Sequence, residues 1–285
     1  MGFVCNANPA IPNSRAELLA KNGLRIDSGG TMDIGTDILV LDAYTQLNAA
    51  TTDLVVQANR SIEIDSGGGL RMGSETLDIS VNDDMVLAVG GSTTTVAGGD
   101  VLLESGGDMA IDVSQHAILS ADSALVDLTS ALNVSSTDMM LDVSGSVSAA
   151  VQDTISVSTT ALRAHTEELD VTAHAGSRLV TSDLTVSGSG NMKAAFSDGG
   201  VLVTAETFQV RAVEEIDVLA DEVVVNAVQS VDVFAGDAVT ITTQDVDVHA
   251  YRSINVTSVG GASLTSHDLE LKTLNVTDRA NRAKL

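Results

Sequence analysis

The sequence predicts an all-β fold. The specific form is a single-chain, three-sided parallel β-helix (β-solenoid) of about 23 residues per coil and about 11 coils, with an N-terminal capping helix. Three observations carry that prediction. Apolar residues alternate with polar ones in short bursts, the bursts recur on a 23-residue frame, and the gaps between them hold turn residues and leave no room for helices.

The bursts are clearest from Phe208 to Ala250: Phe208/Val210/Ala212, Ile216/Val218/Ala220, Val223/Val225/Ala227, Val231/Val233/Ala235, Val239/Ile241 and Val246/Val248/Ala250. A period of two marks a half-buried strand. Taking every third burst, the starts fall at or within a residue of Leu24, Leu47, Leu70, Thr93, His116, Met139, Leu162, Thr185, Phe208, Val231, Ile254 and Thr277. A second series runs Met32, Leu54, Leu77, Val101, Ala124, Val147, Leu169, Met192, Ile216, Val239, Ala262. A third runs Leu39, Ile62, Met85, Met109, Leu132, Ile155, Leu179, Val201, Val223, Val246, Leu269. Three strands per 23 residues make a coil with three faces, each strand stacking in parallel on its counterpart in the next coil. At ~4.8 Å per coil this makes a rod about 50 Å long. The preference for right-handed parallel crossovers favours right-handed coiling.

The corners agree. Gly-Gly pairs stand at 29–30, 67–68, 90–91, 98–99, 106–107, 199–200 and 260–261, where glycine offers the positive φ of a tight turn. Proline is absent after Pro12, as central strands require. Small inward residues suit a narrow core, which accounts for an aromatic content of 2% and the lack of tryptophan.

Taken in order, residues 1–13 read as an extended N-terminal arm. Met1-Gly2 followed by Cys5 offers two lipidation positions, myristate on Gly2 and palmitate on Cys5, although Asn6 stands where the motif asks for Ser or Thr. Residues 14–23 read as the capping helix: Ser14 and Glu17 form a capping box, Leu18 and Leu19 an apolar face, and Gly23 a stop. Residues 24–277 form the solenoid and 278–285 a basic C-terminal tail. Phe3 and Val4 at one terminus, and Arg279, Arg282 and Lys284 at the other, are candidate assembly contacts.

Net charge is −25, and thirteen Asp and Glu lie between Arg71 and Arg163 with no Lys or Arg among them. That sign excludes nucleic acid as a partner. Calcium on the acidic faces is the one cofactor the composition suggests, and only weakly: the Asp-rich nonapeptide of calcium-binding β-rolls is not repeated, and the carboxylates do not recur at one frame position. With a single cysteine there is no disulfide framework. No signal peptide or apolar run of membrane-spanning length stands out, so a membrane enters only through acylation.

Neither an active site nor a small-molecule substrate is expected. Adjacent carboxylates such as Glu214-Glu215 point to opposite faces of a strand, His116, His165, His174, His249 and His267 are scattered, and no insertion is long enough to wall a cleft. Ice binding needs stacked Thr-x-Thr, but Thr93 and Thr95 are followed one coil later by His116 and Ile118.

The stretch 85–113 (MVLAVGGSTTTVAGGDVLLESGGDMAIDV) places Gly-Gly at steps of 8. There the chain resembles the octad repeats of phage tail needles and type VI secretion spike tips, which implies a trimeric spike or fibre module of a virion or secretion apparatus. The steps of 7 elsewhere depart from that octad. The expected function is therefore structural: a rigid acidic subunit that partners itself in a filament, sheath or appendage. The spike is the alternative, and a lipid-anchored membrane-surface protein the third.

Overall fold

Alternation at period two dictates which side chains face inward; stacking the coils in register turns those positions into continuous apolar ladders. In the computed structural model, which describes residues 3–6, 15–20, 24–27, 32–197, 199–266 and 268–273, this is what the chain does. It divides into two compact units, Met1–Ser144 and Gly145–Leu285, each a parallel β-solenoid. Together they count about 11 turns of about 23 residues.

In the first unit the three ladders are those of the repeat. Leu24, Leu47, Leu70, Thr93 and Ala117 are successive register partners on one face. Met32, Leu54, Leu77, Val101 and Ala124 follow one another on the second. Leu39, Ile62, Met85, Met109 and Leu132 make the third. Leu39 and Ile62 are 1% exposed and Met109 0%. Removing such side chains from water stabilises each turn by roughly 1.5–3 kcal/mol apiece. Register shifts between Thr36 and Ile38 and between Val113 and His116 absorb the uneven spacing of the bursts.

The second unit repeats the plan. Leu184, Phe208, Val231 and Ile254 form one ladder. Val147, Leu169, Met192, Ile216, Val239 and Ala262 form another. In the third, Ile155 pairs with Ser177 and the run continues Val201, Val223, Val246, Leu269. The repeat placed Leu179 where Ser177 stands, two residues along the same face. Met192, Ala212, Ile216, Ala235 and Val239 are the buried centre.

Buried hydroxyls close the corners. Thr181 Oγ1 lies 3.1 Å from Thr160 O and 3.0 Å from Asp183 O, and Thr243 Oγ1 lies 2.9 Å from Asp221 O and 3.0 Å from Asp245 O. Each can satisfy a carbonyl of its own turn or of the turn before. Outside the core, carboxylates accept from the following turn: Thr76 Oγ1 donates to Asp53 (2.9 Å), Ser123 to Asp100 (2.6 Å) and Thr207 to Asp183 (2.6 Å). Part of the acidic surplus thus tethers one turn to the next.

Two expectations need correction. The capping helix over 14–23 is not formed: Arg15–Ala20 is a strand, paired in parallel with Ile38–Ala43, and the rest of that segment lies outside the described residues. The segment also satisfies period two, with Ala16, Leu18 and Ala20 alternating with Arg15, Glu17 and Leu19, and the open edge of Ile38–Ala43 overrides a weak helical propensity. Leu18 and Leu19, which a helix would place on one face, then point to opposite sides. The corner glycines, too, are mostly not there for positive φ, which only Gly176 and Gly261 adopt among the described residues. At several of them, Gly67, Gly68, Gly90, Gly91, Gly106 and Gly199 among them, the turns approach closely: a Cβ on Gly90 would sit 2.5 Å from the carbonyl oxygen of Gly67 in the preceding turn.

Candidate functional site

The last described turn of the second unit comprises Ser253–Ser258, Gly261–Thr265 and Asp268–Thr273. Its ladder residues are uncovered. Leu269 is 52% exposed although its register partner Val246 is 5%, and Leu271, Leu264 and Val256 are 54%, 41% and 48% exposed. Among the described residues the strand Asp268–Thr273 pairs on one side only, with Asp245–Ala250. In the first unit, Arg15–Ala20 is likewise paired on one side only, and Leu18 is 43% exposed while its partner Leu41 is 6%. Arg15–Ala20 and Asp268–Thr273 occupy the same frame positions, separated by eleven repeats of 23 residues, so Leu18 and Leu271 are equivalent.

Each unit also has a solvent-facing concavity. In the second unit it measures about 650 Å³. Two outward ladders build it: Gln209, Asp232 and Asn255 in successive turns, and beside them Ser187, Arg211, Phe234 and Thr257. Residues i and i+2 of a strand share a face, which sets the two ladders side by side. Phe234 is 43% exposed, and Asn255 Nδ2 donates to Asp232 Oδ1 at 2.6 Å. In the first unit a concavity of about 870 Å³ is lined by Tyr44, Asn48, Arg71 and Gln115, together with glycines of successive turns. Neither uses a loop insertion.

Among the described residues, one cluster of ligand-type side chains is formed. Asp247 and His249 are two apart on one strand, Glu270 is the register partner of Asp247, and one ligand atom from each lies within 4.8 Å of the others. The signal for it was present in the frame, since Asp247 and Glu270 are 23 residues apart. His249 Nε2 is 2.7 Å from Asp247 Oδ1 but the two are not aligned for a hydrogen bond, and both side chains are more than a third exposed. This is an ion pair at the surface when the imidazole is protonated. His116 Nδ1 lies 2.9 Å from Asp138 Oδ2, another register neighbour.

The residues singled out in the sequence are not gathered into one place. Gly2, Arg279, Arg282 and Lys284 lie outside the described residues. Phe3, Val4 and Cys5 belong to the strand Phe3–Asn6, in register with Met32, Asp33 and Ile34. Among the described residues no helix is long and apolar enough to cross a membrane. No family model, curated protein or solved structure matches the chain, so the likeness of 85–113 to spike repeats gains no support from comparison.

Proposed function

We propose that the protein is a structural subunit that polymerises head to tail, the strand Asp268–Thr273 of one copy continuing onto Arg15–Ala20 of the next. The observation that carries this reading is the pair of strands in the same frame that, among the described residues, are paired on one side only, each with an uncovered leucine, Leu18 at 43% and Leu271 at 54% exposure. A strand edge with free N–H and C=O groups is a template for another strand, and natural proteins normally blunt it. The continuation is in register: Leu18 would follow Leu271, Ala16 would follow Leu269, and Arg15 would meet Asp268. Because the two surfaces are different patches, such a contact is heterologous and yields a filament when it does not close into a ring.

The charge of −25 sets the conditions. Copies repel one another until salt screens them, with a Debye length of about 10 Å at 0.1 M and about 3 Å at 1 M. Negative-stain electron microscopy across that range tests the reading. Filaments that lengthen with salt in the wild type, and are lost in Leu269→Asp/Leu271→Asp, are expected. Monomers at every salt concentration would overturn it.

A further inference from the structure

The concavity around Phe234 has no part in the end-to-end contact, and its chemistry is specific. We propose that it is a binding site for an uncharged oligosaccharide, laid across the turns of the second unit. Pyranose rings are flat, with an apolar C–H face and a rim of hydroxyls that both donate and accept. Phe234, 43% exposed, supplies an aromatic face for the first. Gln209, Asp232 and Asn255 on one side, and Arg211 and Thr257 beside Phe234, supply acceptors and donors for the second. Their placement is that of the sheet: neighbouring turns are about 4.8 Å apart, and residues two apart along a strand about 6.7 Å, so polar groups recur along both directions of the groove at sugar-ring scale. The volume of about 650 Å³ is within the range of small-ligand sites, which combine apolar surface with a few placed polar groups.

Two further observations narrow the class. The net charge of −25 disfavours polyanions, and with one arginine and one aspartate in its lining the concavity itself carries no surplus charge to hold a charged chain. The same chemistry then recurs independently in the first unit, where Tyr44, 77% exposed, stands with Arg71, Asn48 and Gln115 around the concavity there. The whole chain has two Tyr, four Phe and no Trp. Of the exposed aromatics Tyr44, Phe234 and Tyr251, two stand in these concavities, each with an arginine and amide side chains around it.

Saturation-transfer NMR with cellohexaose, N-acetylchitohexaose and maltohexaose, one probe at a time, tests this on the full chain. Transfer to the ring C–H protons of at least one probe is expected, with affinity at least tenfold weaker in Phe234→Ala and in Asn255→Ala and retained in Phe234→Tyr. Circular dichroism of the variants keeps loss of binding distinct from loss of fold. Absence of transfer to all three probes, or affinity unchanged in both Phe234→Ala and Asn255→Ala, would overturn the proposal. Neither outcome bears on the strand contact proposed for polymerisation, Asp268–Thr273 on Arg15–Ala20, which contains none of the concavity's residues.

Discussion

Leu269 is the register partner of Val246, and the two occupy the same ladder one turn apart, yet Val246 is 5% exposed and Leu269 52%. Only what lies beyond them differs. The next turn covers Val246, and among the described residues nothing covers Leu269. A ladder that stops on apolar side chains leaves a surface suited to another turn. Leu269→Asp should therefore shift the monomer–polymer balance strongly toward monomer while leaving the unfolding midpoint of the monomer nearly unchanged, since the side chain is already half exposed. Sedimentation velocity and a urea titration of the same sample read the two quantities.

The corner threonines are expected to matter for stability. Thr181 and Thr243 are 5% and 8% exposed, and each hydroxyl lies within donating distance of a carbonyl of its own turn and of one in the turn before. Replacing either by valine keeps the volume and leaves a carbonyl without its donor, costing about 1–3 kcal/mol. A solenoid's stability is a sum over turns and their neighbours, so the loss should appear first as local opening around that turn. Hydrogen exchange of the flanking amides would locate it.

Gly90→Ala should be as costly for a different reason. Its Cβ would lie 2.5 Å from Gly67 O, a backbone atom held by its own turn. The turns must separate there, at about 1–3 kcal/mol. By contrast Gly261, with φ of +152° and nothing within 4 Å, would object through backbone conformation alone. Thermal midpoints of the two alanine variants, with the glycines reversed as controls, separate the two causes.

Acid titration should show two carboxylates acting in opposite directions. Asp78 sits between Val55 and Leu102 in its ladder, with one carboxylate oxygen buried and unpartnered. Burial, and then the charge of Glu104, raise its pKa. A raised folded-state pKa contributes stability below the unfolded value that is lost as pH rises, so at pH 7 Asp78 works against the fold. Asp78→Asn should raise the melting temperature at neutral pH, with the gain fading toward pH 4. Asp108 is the reverse: the Ser130 hydroxyl, then the Ala131 N–H, lower its pKa. Its stabilisation is present above the usual carboxylate range and disappears in acid, so Asp108→Asn should be harmful at pH 7 and neutral at low pH.

Much of the fold was legible because inward positions obey a simple rule. Leu39, Ile62, Met85 and Met109 repeat on the frame and pair as the frame says. Arg15–Ala20 was misread because its capping residues and paired leucines satisfy a helix locally, while the partner strand that decides the matter, Ile38–Ala43, lies a full turn away. The corner glycines were recognised by position but explained by φ, since the approach of Gly90 to Gly67 is invisible without the stacking. The surface features were harder still. Outward residues carry no apolar period, so the ladders Gln209–Asp232–Asn255 and Arg211–Phe234–Thr257 emerge only when the frame is applied to polar positions as well.

Head-to-tail stacking makes one geometric demand that a cross-link can read directly. Adjacent parallel strands bring register partners to about 4.8 Å between Cα atoms, inside the range a disulfide spans. With Cys5 changed to serine, a Leu18→Cys/Leu271→Cys protein oxidised at 1 M salt should form a ladder of covalent multimers, dimer, trimer and upward, on a non-reducing gel. Each single-cysteine variant alone should stay essentially monomeric. A double variant that remains monomeric, or dimers formed equally well by Leu271→Cys alone, would contradict head-to-tail polymerisation.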